Sequence, residues 1–184
     1  MAKVAATGDR GAFEELYGRY RNAIFSYMRS RIRNVARAEE LTQEVFLKVF
    51  RARNTYQANG KFSGWLWTIA RHIAIDEYRA KNPEVAEPSY DEQEGSWIEN
   101  QPEDSLLADA QLVEAADESR LQRCIDHLAP AQKEALLLRT LSELPYEEIA
   151  RTLSTSVAAV KSLLFRAKAA LTACIQGGGA HESA

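Results

Sequence analysis

Between residues 83 and 118 the chain carries 12 acidic residues and no lysine or arginine. On either side the sign reverses. Residues 1–82 hold 15 Lys and Arg against 8 Asp and Glu, and residues 119–184 hold 8 against 6. From 83 to 101 the stretch is also rich in Pro, Glu, Ser, Gln and Gly, a composition that buries too little apolar surface to fold alone. One core cannot run through it. The 184 residues therefore divide into two small cationic modules and an acidic connector. The overall charge of −3 conceals this division.

Both modules read as helical, and no strand pattern occurs anywhere. In the first, Phe13, Leu16, Tyr20, Ile24, Met28 and Ile32 repeat every three to four residues. This predicts a long amphipathic helix to about Arg33, with Arg19, Arg21, Arg29, Arg31 and Arg33 on its outer face. Leu41, Val45 and Val49, flanked by Phe46 and Phe50, make a second stripe over 38–53. Asn59 and Gly60 tolerate left-handed backbone and break the pattern as a turn. A third helix over 62–81 turns Phe62, Leu66, Ile69 and Ile73 inward, and Pro83 ends it.

Around that turn and along the third helix lie Tyr56, Lys61, Trp65, Trp67, Arg71, His72 and Arg79. Rings stack on unpaired bases and cations neutralise phosphates, so this mixture suits a single-stranded nucleic-acid surface. Tryptophans in helices are also common core residues. Trp65 and Trp67, two positions apart, cannot share one face. If one is buried, the other is free for a different role.

The second module resumes at Ser105. Leu106, Ala110, Val113, Asp117, Leu121, Ile125 and Leu128 form an imperfect stripe, one long helix or two short ones. Pro130 suits a helix start and opens a helix over 131–141. A short helix, Tyr146–Leu153, is followed by a turn, Ser154, Thr155 and Ser156, with Ser156 capping a longer helix over 157–175. Val160, Leu164 and Leu171 point inward; Lys161, Ser162, Phe165, Arg166 and Lys168 lie outward. Short helix, tight turn and longer helix make a helix-turn-helix, whose second helix enters the major groove.

Three stretches carry a family resemblance. AEELTQEVF at 38–46 resembles the acidic AEDLxQEVF helix of the extracytoplasmic-function (ECF) sigma factors of bacterial RNA polymerase. FSGWLWTIAR at 62–71 resembles their FxxWLxxIAR helix. YEEIARTLSTSVAAVKSLLFRAK at 146–168 resembles their YEEIAxxLxxxxxTVKSRLxRAR motif. The resemblance implies an all-α fold of two small helical domains joined by an acidic flexible linker. Its expected parts are a region 2 domain at 1–82, the linker at 83–104, a region 4 helix-turn-helix domain at 105–176 and a disordered tail at 177–184.

The resemblance also assigns roles. Glu39, Glu40, Leu41, Gln43, Glu44, Phe46 and Lys48 would dock on the β′ clamp helices of core RNA polymerase, with the β flap as a second contact. Tyr56, Asn59, Lys61, Phe62, Ser63, Trp65, Trp67, Arg71, His72 and Arg79 would hold the −10 element, with Asn59, Lys61, Phe62 and Ser63 capturing bases. Tyr146, Ser156, Val157, Ala159, Lys161, Ser162, Phe165, Arg166 and Lys168 would face the −35 element. Ala159 replaces the usual Thr and Leu163 the usual Arg. Either −35 recognition is weaker, or its preferred sequence differs, or Leu163 faces a protein partner. Family members are commonly held inactive by an anti-sigma factor.

Geometry constrains the connector. Some 19 residues of relaxed coil span only ~24 Å and reach roughly 60 Å when extended. Promoter elements one and a half turns apart are separated by roughly 50 Å. The linker must be nearly stretched on DNA, and the family's basic polymerase channel would suit its acids. Energetics assign the division of labour. A base stacked on a ring gains ~1–3 kcal/mol, while each lost DNA stacking step costs about 1.4 kcal/mol. Capture of one or two bases nucleates melting but does not sustain a bubble. The expected function is promoter recognition and opening with core polymerase, with no enzymatic activity and no cofactor. The alternative is a helix-turn-helix regulator acting on duplex DNA without polymerase.

Cys124 and Cys174 form no CxxC pair, and no histidine stands at ligand spacing from them, which argues against structural zinc. Two buried free thiols are expected, with a redox switch as the lesser alternative. His72, Asp76 and Glu77 lack a third-ligand partner or nucleophile, so surface ion pairing is expected of them rather than a metal site. No apolar run approaches membrane-spanning length and no signal core is present, so no membrane insertion and a cytoplasmic location are expected.

Overall fold

The computed structural model describes residues 9–56, 61–81 and 118–177. Among them every regular element is helical. The chain divides into two compact units. The first carries α1 (Arg10–Arg31), α2 (Val35–Arg51), a 3₁₀ turn (Ala52–Thr55) and α3 (Phe62–Lys81). The second carries α4 (Glu118–Asp126), α5 (Pro130–Ser142) as far as Arg139, α6 (Tyr146–Leu153) and α7 (Val157–Gly177). The first part of the stripe expected from Ser105 to Leu128, residues 105–117, the linker at 83–104, the turn residues 57–60 and the tail beyond 177 lie outside the described residues.

Capping shifts two boundaries from their expected places. Asp9 caps α1, accepting from the Ala12 backbone N–H at 3.1 Å. Asn34 caps α2, accepting from the Arg37 N–H at 3.0 Å. Asn34 is extended, as an N-cap must be. It therefore stops α1 at Arg31 instead of Arg33 and starts α2 at Val35 instead of residue 38. The 3₁₀ turn after α2 gave no signal in the hydrophobic pattern, because it has no buried residue of its own.

In the first unit, α2 packs against both α1 and α3. Ile24, Tyr27 and Met28 of α1, Leu41, Val45, Phe46 and Val49 of α2, and Leu66, Trp67, Ala70, Ile73 and Ala74 of α3 are buried. Trp67 is fully buried, with its ring edge-on to Tyr27 at 5.5 Å. Near the far end of α1, Phe13 meets Phe50 at 5.2 Å, and Tyr17 meets Phe46 at 4.7 Å. Such edge-to-face pairs add ~0.5–1.5 kcal/mol beyond their burial.

In the second unit, α7 packs against α6 and against α4. Ile149 and Leu153 of α6 and Val160, Leu164 and Ala167 of α7 are buried. The turn between α6 and α7 is a Schellman motif. The Thr155 N–H reaches the Ala150 carbonyl at 2.9 Å and the Ser154 N–H the Arg151 carbonyl at 3.2 Å. Ser156 then caps α7, accepting from the Ala159 N–H at 3.1 Å, as the sequence requires.

The cysteines depart from expectation. They are not free thiols: a disulfide joins Cys124 on α4 to Cys174 on α7, with their Cα atoms 5.8 Å apart. Packing of α4 on α7 brings together two residues 50 positions apart. Sequence spacing carried no sign of that non-local contact.

Candidate nucleic-acid and polymerase interfaces

The outer face of α2 is built by period alone. With Leu41, Val45 and Val49 facing in, Glu39, Glu40, Gln43, Glu44 and Lys48 are turned out and exposed. Leu47 continues this face and is 48 % exposed. The sequence reading missed it. Its signal was the step of three and four from Glu44 and Gln43, on the same side as the acids. Leu41 and Phe46, assigned to this face by resemblance, are instead core residues, 1 % and 3 % exposed, and present nothing to a partner.

One of the acids on this face is already engaged. Arg37 donates to Glu40 at 2.9 Å and across to Glu77 of α3 at 2.6 Å. Lys81 reaches the same Glu77 carboxylate at 2.8 Å. Hydrogen bonding to Arg37, then to Lys81, holds the Glu77 pKa down to about 2. The same contacts, Glu77 first and Glu40 second, raise that of Arg37. Glu77 thus fastens the end of α3 to the start of α2. His72 and Asp76 lie exposed on α3.

The start of α3 gathers aromatic rings. Tyr56 leaves the turn with its ring 6.0 Å from Phe62 and 5.2 Å from Trp65. Phe62 and Trp65 are 6.0 Å apart, and Tyr20 of α1 reaches Phe62 at 5.7 Å. All four rings are partly accessible, Ser63 is partly covered and Lys61 is exposed. Tyr20 was read from the sequence only as part of an inward stripe, and the structure brings it to this cluster. Asn59 lies outside the described residues. The two tryptophans divide as their spacing demands, Trp65 at the surface and Trp67 in the core. Arg71 is also buried, at 6 % exposure. Trp67 and Arg71 are therefore core residues and do not line this surface. His72 and Arg79 are exposed further along α3.

On α7, Lys161, Phe165 and Lys168 share one face at i, i+4 and i+7, with Arg166 beside them; all four are half-buried. Lys161 Nζ stands 6.0 Å from the Tyr146 ring, and the Arg139 guanidinium 5.0 Å from it. Ser156 and Val157 are partly accessible. Tyr146, Ala159 and Ser162, assigned to DNA by resemblance, are buried. Their place is in the packing that positions α7. Leu163 is buried as well, at 4 % exposure. Burial there suits leucine and would penalise the arginine usual in the family; the residue is not turned out towards a protein partner.

With this geometry in place, comparison with known proteins identifies both units. The sequence profile of Sigma-70 region 2 matches residues 16–84, and that of Sigma-70, region 4 matches residues 118–171. The ECF RNA polymerase sigma factor SigK of Mycobacterium ulcerans is 30% identical over 177 residues, a match covering 95% of this chain and 91% of SigK. The ECF RNA polymerase sigma factor BldN of Streptomyces coelicolor is 32% identical over 168 residues, covering 91% of this chain; the chain spans 61% of BldN. The solved structure of CnrH in complex with the cytosolic domain of CnrY shares the fold, with a TM-score of 0.68, 22% identity and coverage of 96% and 95% of the two chains. No described helix is long and apolar enough to cross a membrane. The two units, in this order and on these residues, place the chain in the ECF family of RNA polymerase sigma factors.

Proposed function

We propose that this sigma factor works in the cytoplasm as the promoter-specificity and strand-opening subunit of RNA polymerase. The exposed face of α2, Glu39, Glu40, Gln43, Glu44, Leu47 and Lys48, docks on the β′ clamp helices. Leu47 supplies the apolar centre that a rim of charges alone would lack. The rings of Tyr56, Phe62 and Trp65, with Lys61 beside them, take up unpaired bases and the phosphate of the −10 element; Asn59 and Ser63 complete this group. Lys161, Phe165, Arg166 and Lys168 of α7, with Ser156 and Val157 at its start, face the −35 element, and the β flap holds the region 4 unit. An anti-sigma factor that covers both DNA-facing surfaces completes the set of partners. Catalysis stays with the polymerase, because every role here is binding.

The observation that carries this reading is the accessible cluster of Tyr56, Phe62 and Trp65 beside exposed Lys61, distinct from the buried Trp67. Stacking on one ring is worth ~1–3 kcal/mol, so Trp65→Ala should reduce promoter opening by about tenfold or more. Affinity for core polymerase should be unchanged, because α2 is untouched. If Trp65→Ala leaves opening intact, the cluster has no part in capturing bases; if it removes both opening and core binding, its role is structural.

A further inference from the structure

We propose that Arg37 is a positioning residue of the polymerase-docking face: anchored on Glu77 of α3, it holds the Glu40 carboxylate of α2 ready for a cationic partner surface. This role rests on the docking of α2 proposed above. The family resemblance gives Arg37 no part in it. Arg37 lies in the first turn of α2, three residues before Glu40. Its backbone is held first, because the Arg37 N–H is the one that Asn34 accepts in capping α2, at 3.0 Å. Its guanidinium is held next. One arm reaches Glu77 at 2.6 Å and the other reaches Glu40 at 2.9 Å. A rigid planar fork serves two carboxylates at once; an ammonium is a single point charge and lacks that geometry.

The two arms are unequal, and burial decides which is the anchor. The Glu77 side chain is 9 % exposed and that of Glu40 is 63 % exposed. Glu77 is fixed on both oxygens, Oε2 by Arg37 and Oε1 by Lys81 at 2.8 Å. A pair as exposed as Arg37–Glu40 has little strength of its own. Arg37 is thus set by α3, and Glu40 is set by Arg37. Glu40 shares its stripe with Gln43, Glu44 and Leu47, at steps of three, four and seven. Unheld, an exposed glutamate samples many rotamers, and docking must freeze one of them. Held, it has given up part of that freedom before the partner arrives. Arg37 takes Oε2 of Glu40. A carboxylate has two oxygens and about four lone-pair sites, so Oε1 is left for a cation of the partner. Water screens the repulsion between that cation and Arg37 at such exposure, whereas the rotamer cost is not screened.

The test is a double-mutant cycle on the full chain. Affinity for purified core RNA polymerase is read by fluorescence titration, with urea denaturation of each variant beside it. The gain from positioning cannot exceed the strength of the exposed pair, so Arg37→Gln should weaken core binding about two- to fivefold. In a Glu40→Ala background the same substitution should cause no further loss, because Arg37 then has nothing to position. Loss by the same factor in both backgrounds would mark a general structural role and overturn the proposal. Arg37→Lys covers the case in which Arg37→Gln fails to fold. A lysine keeps the pair with Glu77 and gives up the fork, so stability should stay closer to wild type while affinity falls as for Arg37→Gln. Wild-type affinity in Arg37→Lys overturns the proposal, because the fork to Glu40 is then not needed. So does unchanged affinity in Glu40→Ala. Leu47→Asp then tells the two readings apart. If it too leaves binding unchanged, the docking face is misassigned; if it weakens binding, docking on α2 stands and only the role of Arg37 falls.

Discussion

Ser154 closes α6 in the left-handed region, at φ 56°, where a Cβ is unfavourable. Glycine has no such penalty there. Ser154→Gly should stabilise the second unit by about 0.5–1 kcal/mol, read by urea denaturation. Glu77 gives a prediction in pH. Its folded pKa, about 2, lies below its ordinary 4.5. Its stabilising contribution is therefore complete above the ordinary value and is lost as pH falls through 4.5 towards 2. Arg37 is 38% exposed, so solvent screening reduces the contribution to about 1–3 kcal/mol. Glu77→Gln should cost that much at pH 7, with more than half of the difference gone by about pH 3. A difference that is constant with pH would mean that the carboxylate charge is not what matters. The Glu77–Arg37 pair joins residues 40 positions apart, and nothing in the local sequence marked it. The separation of Trp65 from Trp67 was legible, because two positions along a helix always diverge; which one is buried was not, because that is settled by Tyr27 on another helix.

At the scale of elements, existence was legible and edges were less so. Period fixed α1, α2 and α3, and the turn chemistry of residues 154–156 fixed α6 and α7. Boundaries moved where a cap outweighed the hydrophobic stripe, as Asn34 does between α1 and α2. Roles assigned by whole motifs mixed the two faces of a helix. Leu41 and Phe46 belong to the α2 motif but fill the core, and Ala159 and Ser162 belong to the α7 motif but are buried. The same helix geometry exposes Leu47. Leu47→Asp should weaken core polymerase binding at least about tenfold. Its effect on stability should stay within ~0.5 kcal/mol, as for other exposed positions. Binding by analytical gel filtration or fluorescence, alongside a denaturation curve, separates the two. A change in stability without loss of binding would remove Leu47 from the docking face.

For the whole molecule, charge is the plainest feature of the sequence. Two cationic modules flank a segment with 12 acids and no lysine or arginine at 83–118, and the described helices end at Lys81 and resume at Glu118. Reach then becomes a constraint. We propose that residues 83–101 are the span that must reach between the units; removing eight of them would then leave about 36 Å when extended, short of the roughly 50 Å between promoter elements. Such a chain should lose at least about tenfold in initiation at promoters that need both elements. Where the −10 element suffices, it should retain activity. The cross-link between α4 and α7 was the least legible feature, because long-range packing alone brings its cysteines together.

The measurement that bears most directly on the function is promoter opening by purified components. Promoter-length DNA is incubated with core RNA polymerase, with this chain, and with both, and unpaired thymines are mapped. Unpaired thymines are expected around the −10 element only when both proteins are present, together with transcription from the same site. Tight binding to duplex DNA by the chain alone, with no opening when core polymerase is added, would contradict it and assign the helix-turn-helix to a regulator that works without polymerase.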